Sequence, residues 1–136
     1  MTATILLVDD EVRSLDAMRR TLEADFEVLT ATGADEAREQ MARREVHVIL
    51  CDQRMPGTTG VEFLREARER WPDAVRIVIS GYTDSEDIIA GINEAGIWQY
   101  ILKPWVPDHL LQTVRSAAEA RTLQHGAGAE HALGHM

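Results

Sequence analysis

Four places in the chain carry side chains able to do chemistry together. Asp9, Asp10 and Glu11 follow the apolar run Ile5-Leu6-Leu7-Val8. Asp52 follows the run ending in Cys51, Ser80-Gly81 follows Val75–Ile79, and Lys103-Pro104 follows the run ending in Leu102. Each lies where a buried strand should end, and ligands of open α/β sheets bind beyond the carboxyl ends of the strands. Gathered there, three carboxylates repel one another and need a cation or protons. A hard divalent ion with oxygen ligands, Mg²⁺ above all, meets that need and keeps positions open for water and phosphate oxygens. Lys103 adds a compact positive charge suited to a phosphoryl oxygen, and Ser80 can donate a hydrogen bond to the same group. One aspartate is then placed to act as a nucleophile and become an acyl phosphate. Phosphoryl transfer asks mainly for positioning and charge neutralisation.

Taken singly, each residue has an ordinary structural reading. An Asp-Asp pair after a strand suits a helix N-terminus. Asp52 reads as a turn residue ahead of Pro56-Gly57, Lys103 as a solvated strand end, and Ser80 as a cap. Their joint placement at four strand ends is what points to a site.

The elements that must position them read from periodicity. Continuous apolar runs suit strands buried on both faces at Ile5–Val8, Val46–Cys51, Val75–Ile79 and Ile97–Leu102, with a weaker run at Phe26–Ala31 that Glu27 interrupts. Between them lie segments of helical period. Val12, Leu15, Met18 and Leu22 form the first, and Ala34, Ala37 and Met41 the second, opened by Thr32-Gly33. Val61, Leu64, Ala67 and Trp71 form the third, which Pro72 stops. Thr83-Asp84-Ser85-Glu86 has capping-box spacing and opens a fourth, with Ile88, Ile89, Ile92 and Ala95 facing the core. Pro107 opens the last, with Leu110, Leu111, Val114 and Ala118 on its buried face. Strand and helix in alternation predict a parallel sheet with helices on both faces and right-handed crossovers.

Length and composition narrow the function classes. A chain of 136 residues suits one domain, and 45% apolar content supplies a core. Fourteen Lys and Arg against 23 Asp and Glu give a net charge of −9, which disfavours direct contact with nucleic acid. No apolar run nears the roughly 20 residues of a membrane span, and two carboxylates interrupt the N-terminus before a secretory signal could be completed. A cytoplasmic protein is expected. The single cysteine, Cys51, excludes an internal disulfide and reads as a buried strand residue. His125, His131 and His135 lie in the Gly-, Ala- and His-rich stretch after Leu123 without a recognised metal spacing. The expected organisation is therefore a domain over 1–123 and a flexible linker or tail over 124–136.

The strings ILLVDDE at 5–11, ILCDQRMPGTTGVEFL at 49–64, VIS at 78–80 and YILKP at 100–104 resemble the receiver domain of two-component response regulators, the CheY-like family. The resemblance covers roughly 4–123. It implies an α/β flavodoxin-like fold, a (βα)5 three-layer sandwich with a five-stranded parallel sheet in the order 2-1-3-4-5. It implies that Asp52 accepts a phosphoryl group from a sensor histidine kinase. Asp9 and Asp10 would hold Mg²⁺ with Asp52, and the backbone carbonyl of Arg54 would complete the metal shell. Lys103 would bind phosphate, and its bond to Pro104 is usually cis in the family. Ser80 and Tyr100 would be the switch residues, and catalysis would be limited to self-phosphorylation and self-dephosphorylation.

DQRMPGTTGVEFL and GYTDSEDIIAGINEAGIWQYILKPW further resemble receivers of hydrogenase-regulating, NtrC-type transcription factors, and similar strings occur in receivers attached to HD-GYP output domains. An NtrC-type regulator implies an AAA+ and DNA-binding output region, absent from this chain, and a homodimer through the face of the fourth helix, fifth strand and fifth helix. Arg54, two residues past the acceptor, could cover the acyl phosphate and alter its lifetime. Two rivals remain. One is an interaction or dimerisation module independent of phosphorylation, against which the complete set of site residues argues. The other is an Asp-nucleophile phosphatase, which would want an acid where Arg54 stands.

Overall fold

The structure is a computed structural model that describes residues 2–81 and 84–130, with no account of the side chains of Ser85, Asp87 and 124–130. Strands and helices alternate: β1 (Thr4–Val8), α1 (Val12–Leu22), β2 (Glu27–Ala31), α2 (Ala34–Arg43), β3 (Val48–Asp52), α3 (Gly60–Arg70), β4 (Val75–Ser80), α4 (Ser85–Glu94), β5 (Gln99–Leu102) and α5 (Pro107–Glu130). The strands form one parallel sheet in the order β2-β1-β3-β4-β5. This is the expected doubly wound arrangement, and the order reverses between β1 and β3, where a crevice opens at the strand ends.

The pleat divides the core in two. Leu6, Val8, Ile49, Cys51 and Val78 pack beneath α2, α3 and α4 with Phe63 and Leu64. Ile5, Leu7, Leu50, Ile77 and Ile79 pack beneath α1 and α5 with Met18, Leu110 and Val114. Alternate residues of a strand face opposite layers, so continuous apolar runs are required wherever helices cover both faces.

The structure differs from the sequence reading in three places. Val12 is 59% exposed, because as the first residue of α1 it stands beyond the end of β1. Ile89 and Ile92 are exposed too, and only Ile88 and Ala95 of that helical stripe are buried. The α5 helix continues past Leu123 to Glu130, since once α5 is nucleated each added residue needs only one further backbone bond. In α4 the N-cap is Asp84, whose side chain makes no capping bond; the box expected at 83–86 begins with Thr83, outside the described residues.

Two arginines fasten the far end of α4. Arg76 Nε donates to Ala95 O at 2.9 Å and Gly96 O at 3.1 Å, and Arg68 Nη1 donates to Asn93 O at 2.7 Å and Glu94 O at 3.2 Å. These meet the carbonyls that a helix C-terminus leaves without partners. Gly91 lets α4 close on α3, where a Cβ would come within 2.5 Å of Val61 Cγ1.

Candidate functional site

The parallel register carries the chemistry to one edge. Leu7 pairs with Leu50 and Val8 with Cys51, so Asp9 leaves β1 beside Asp52. Asp52 pairs with Ile79 and Ser80 with Leu102, so Ser80 and Lys103 leave the sheet on the other side of Asp52. Lys103 N donates to Ser80 O at 2.8 Å, and the Lys103–Pro104 bond is cis.

The carboxylates of Asp9, Asp10 and Asp52 present one oxygen each within 4.8 Å of one another. Asp9 and Asp52 are buried, at 4% and 3% exposure, while Asp10 is exposed. Burial pushes Asp9 up from 3.8 to about 6, against the Glu11 amide that donates to its Oδ1 at 2.9 Å, and the Asp52 charge adds to the rise. Lys103 Nζ lies 2.5 Å from Asp52 Oδ1 as an ion pair. That buried oxygen accepts no hydrogen bond of good geometry. Burial raises Asp52 as well. Lys103 opposes the rise without cancelling it, and Asp10 and Asp84 add smaller repulsions of the same charge. Burial works against the Lys103 ammonium, but the facing carboxylates outweigh it and raise its pKa, so it stays cationic. The edge thus carries more negative charge than its lysine neutralises.

The donor set fits a small hard cation. An octahedral Mg²⁺ with oxygens at about 2.1 Å spans about 4.2 Å across, close to the spread of the three carboxylates, and Asp52 Oδ1 is a buried acceptor short of hydrogen bonds.

Residues to which the sequence reading gave no role in the site hold the loop after β3. Gln53 is buried; its amide donates to Ile79 O at 2.8 Å, its carbonyl accepts from Gly60 N at 3.0 Å, and its Oε1 accepts from Val61 N at 2.9 Å. Gly60 lies so close that a Cβ would come within 2.5 Å of Asp52 O. Thr59 and Glu62 close a capping box at the start of α3. Asp84, also buried, accepts from Arg54 Nε at 2.8 Å through Oδ1 and from Gly81 N at 3.2 Å through Oδ2. Sequence spacing signals the Thr59–Glu62 box, but the role of Gln53 depends on how the loop after β3 closes on the start of α3, and that of Asp84 on how two loops lie side by side. The Arg54 side chain thus turns to Asp84.

Tyr100 is 50% exposed on β5. A cavity of about 220 Å³ lies beside it, lined by Ser80, Gly81, Ile88, Ile92 and Leu102 among others. Cys51 is fully buried, and burial raises its thiol well above the ordinary range, so it packs as an apolar residue. Trp71 ends α3, with the Arg70 guanidinium 4.3 Å from its ring centroid. No helix among the described residues is long and apolar enough to cross a membrane.

Comparison with known proteins agrees with this geometry. The chain is 74% identical over 122 residues to the hydrogenase transcriptional regulatory protein HoxA of Cupriavidus necator, covering 90% of this chain and 25% of that protein. It is 60% identical over 121 residues to HoxA of Bradyrhizobium diazoefficiens, covering 89% and 25%. The chain therefore spans about a quarter of the length of these relatives. Among solved structures, a response regulator receiver domain protein from Clostridium thermocellum superposes with a TM-score of 0.83 at 30% identity, covering 90% of this chain and 98% of that one. The model of the response regulator receiver domain matches residues 5–115, a span that begins at β1 and ends within α5. Sheet order, strand-end chemistry and family match coincide over that span, and the chain belongs to the response regulator receiver domains.

Proposed function

We propose that the chain is a phosphorylation-controlled switch in which Asp52 accepts a phosphoryl group from a histidine of a sensor kinase. One observation carries the reading. Asp52 is a buried carboxylate at the sheet edge, faced by Lys103 at 2.5 Å and by two further carboxylates, with an oxygen short of hydrogen bonds. An oxygen of Asp52 attacks phosphorus as the P–N bond to the donor imidazole breaks, and the electron pair leaves on the imidazole nitrogen. Lys103 shares the charge that grows on the phosphoryl oxygens. Asp9, Asp10, Asp52 and the Arg54 carbonyl would hold Mg²⁺, which supplies charge neutralisation to carboxylates and phosphoryl oxygens alike. Catalysis of this kind is confined to loading and hydrolysing the chain's own acyl phosphate.

The new charge draws the Ser80 hydroxyl and the Gly81 amide toward Asp52. Tyr100, half exposed, has the neighbouring cavity to turn into. The readout is the α4–β5–α5 face, where Ile89, Ile92, Trp98, Tyr100 and Val106 are exposed. A homodimer through that face, coupled to an output region for transcription control, fits relatives of which this chain covers a quarter. An NtrC-type output region carries AAA+ and DNA-binding domains. The acidic receiver itself makes no nucleic-acid contact, and the setting is cytoplasmic. Residues 1–123 form the switch, and 124–136 lead toward the output region.

Intact-protein mass after incubation with acetyl phosphate and Mg²⁺ tests the reading. The wild type should gain one phosphate; Asp52→Asn should gain none, and a chelator should abolish the gain. No gain by the wild type would refute it, leaving a module that pairs through the α4–β5–α5 face without phosphorylation.

A further inference from the structure

The loops after β3 and β4 start side by side, because Asp52 pairs with Ile79 and Gln53 N donates to Ile79 O. Asp84 spans them. One oxygen of its carboxylate takes Arg54 Nε from the first loop at 2.8 Å, and the other takes Gly81 N from the second at 3.2 Å. This is an unusual employment for the residue. Asp84 is the N-cap of α4, where an aspartate ordinarily accepts from the first-turn amides, yet it makes no such bond. Its carboxylate is turned back into the site and is buried there.

Both of its partners are what a phosphoryl group on Asp52 would attract. Gly81 N is the amide next to Ser80. Arg54 is a guanidinium two residues from Asp52, with a fork geometry matched to phosphate oxygens. Asp84 also lies near enough to act on the charges of both Asp52 and Lys103. A phosphoryl group adds a charge of about −1.5 to −2, which repels Asp84 while pulling on the two donors it holds.

We propose that Asp84 is a positioning residue that sets how readily the site accepts a phosphoryl group, by holding the Gly81 amide and the Arg54 guanidinium until the phosphoryl group competes for them. The proposal rests on Asp52 being the acceptor. Whatever free energy holds the latch closed is subtracted from the affinity for the phosphoryl group, since one set of donors cannot serve both anions.

The test is the affinity for beryllofluoride in the presence of Mg²⁺, measured by titration for the wild type, Asp84→Ala, Asp84→Asn, Arg54→Ala and the Arg54→Ala/Asp84→Ala pair. Asp84→Asn keeps the size of the side chain and removes its charge, so it stands in if the alanine variant folds poorly. Both Asp84 variants should bind beryllofluoride roughly three- to tenfold more tightly, the scale of one partly exposed ion pair and one hydrogen bond. Arg54→Ala should weaken binding more in the Asp84→Ala background than in the wild type, because only a released Arg54 reaches the anion. A bridge serving stability alone would lower the melting temperature of these variants and leave the affinity unchanged. Unchanged or weaker binding by both Asp84 variants overturns the latch while leaving Asp52 as acceptor. Failure of the wild type to bind beryllofluoride overturns the acceptor reading and the latch together.

Discussion

The buried charge at Asp9 should make the site a source of instability that can be measured by removing it. Folding raises the Asp9 carboxyl from 3.8 to about 6, chiefly by burial. A carboxyl whose pKa is higher in the folded than in the unfolded chain binds its proton more tightly when folded. Its ionisation therefore costs nothing well below pH 4, grows between the two values, and reaches its full size above about pH 6. The full difference is about 3 kcal/mol at pH 7.5, and about half of that remains at pH 5. Asp9→Asn removes the charge but keeps an oxygen for the Glu11 amide that donates at 2.9 Å. In a chelating buffer the variant should thus be more stable than the wild type by up to about 3 kcal/mol at pH 7.5. The gap should shrink as the pH falls. The assay is urea unfolding of both proteins across that range, with the difference between them isolating Asp9 from the other carboxylates. Millimolar Mg²⁺ should narrow the gap at pH 7.5 by binding the folded wild type more strongly than the variant. A variant no more stable than the wild type at pH 7.5, or a gap that does not depend on pH, would refute the reasoning.

Two further substitutions probe the loop that carries Asp52. Gly60→Ala places a Cβ 2.5 Å from Asp52 O and 2.9 Å from Gln53 Cα; these are backbone atoms, so denaturant unfolding should report a loss of about 1–3 kcal/mol and the acetyl phosphate reaction should slow. Thr59→Ala breaks the capping box with Glu62 and should lower stability by about 1 kcal/mol, while phosphate uptake by the folded fraction should persist.

Element order and the strand-end residues were legible in the sequence for one reason. A sheet covered on both faces demands uninterrupted apolar runs, so the first polar residue after each run marks its carboxyl end. Asp9, Asp52, Ser80 and Lys103 are all marked in this way, and the register brings them together. Periodicity was less informative for α4. Its stripe of Ile88, Ile89 and Ile92 reads as a core face, yet Ile89 is 69% exposed, because an apolar face meant for another surface has the same spacing as one meant for the core. Gln53 and Asp84 were illegible because their partners, Val61 and Arg54, are set by how the loop after β3 folds back on itself and by where it passes the loop after β4. Asp84 passes over the first-turn amides of α4 in favour of Arg54, since a carboxylate with a guanidinium in reach has a stronger partner than a helix amide.

The two arginines at the end of α4 give that helix a mechanical character. Arg68 and Arg76 bolt its last carbonyls to α3 and β4, and Gly91 seats it against Val61. At the other end, Asp84 spends its carboxylate on Arg54 and Gly81 and leaves the first turn without a side-chain cap from that residue. A rod fastened at one end and tied at the other by a releasable strap is a lever, with its fulcrum at the bolted end. Motion at the strap then becomes rotation about the fulcrum, and Ile88 and Ile89, toward the strapped end, sweep farther than Asn93 beside the bolts.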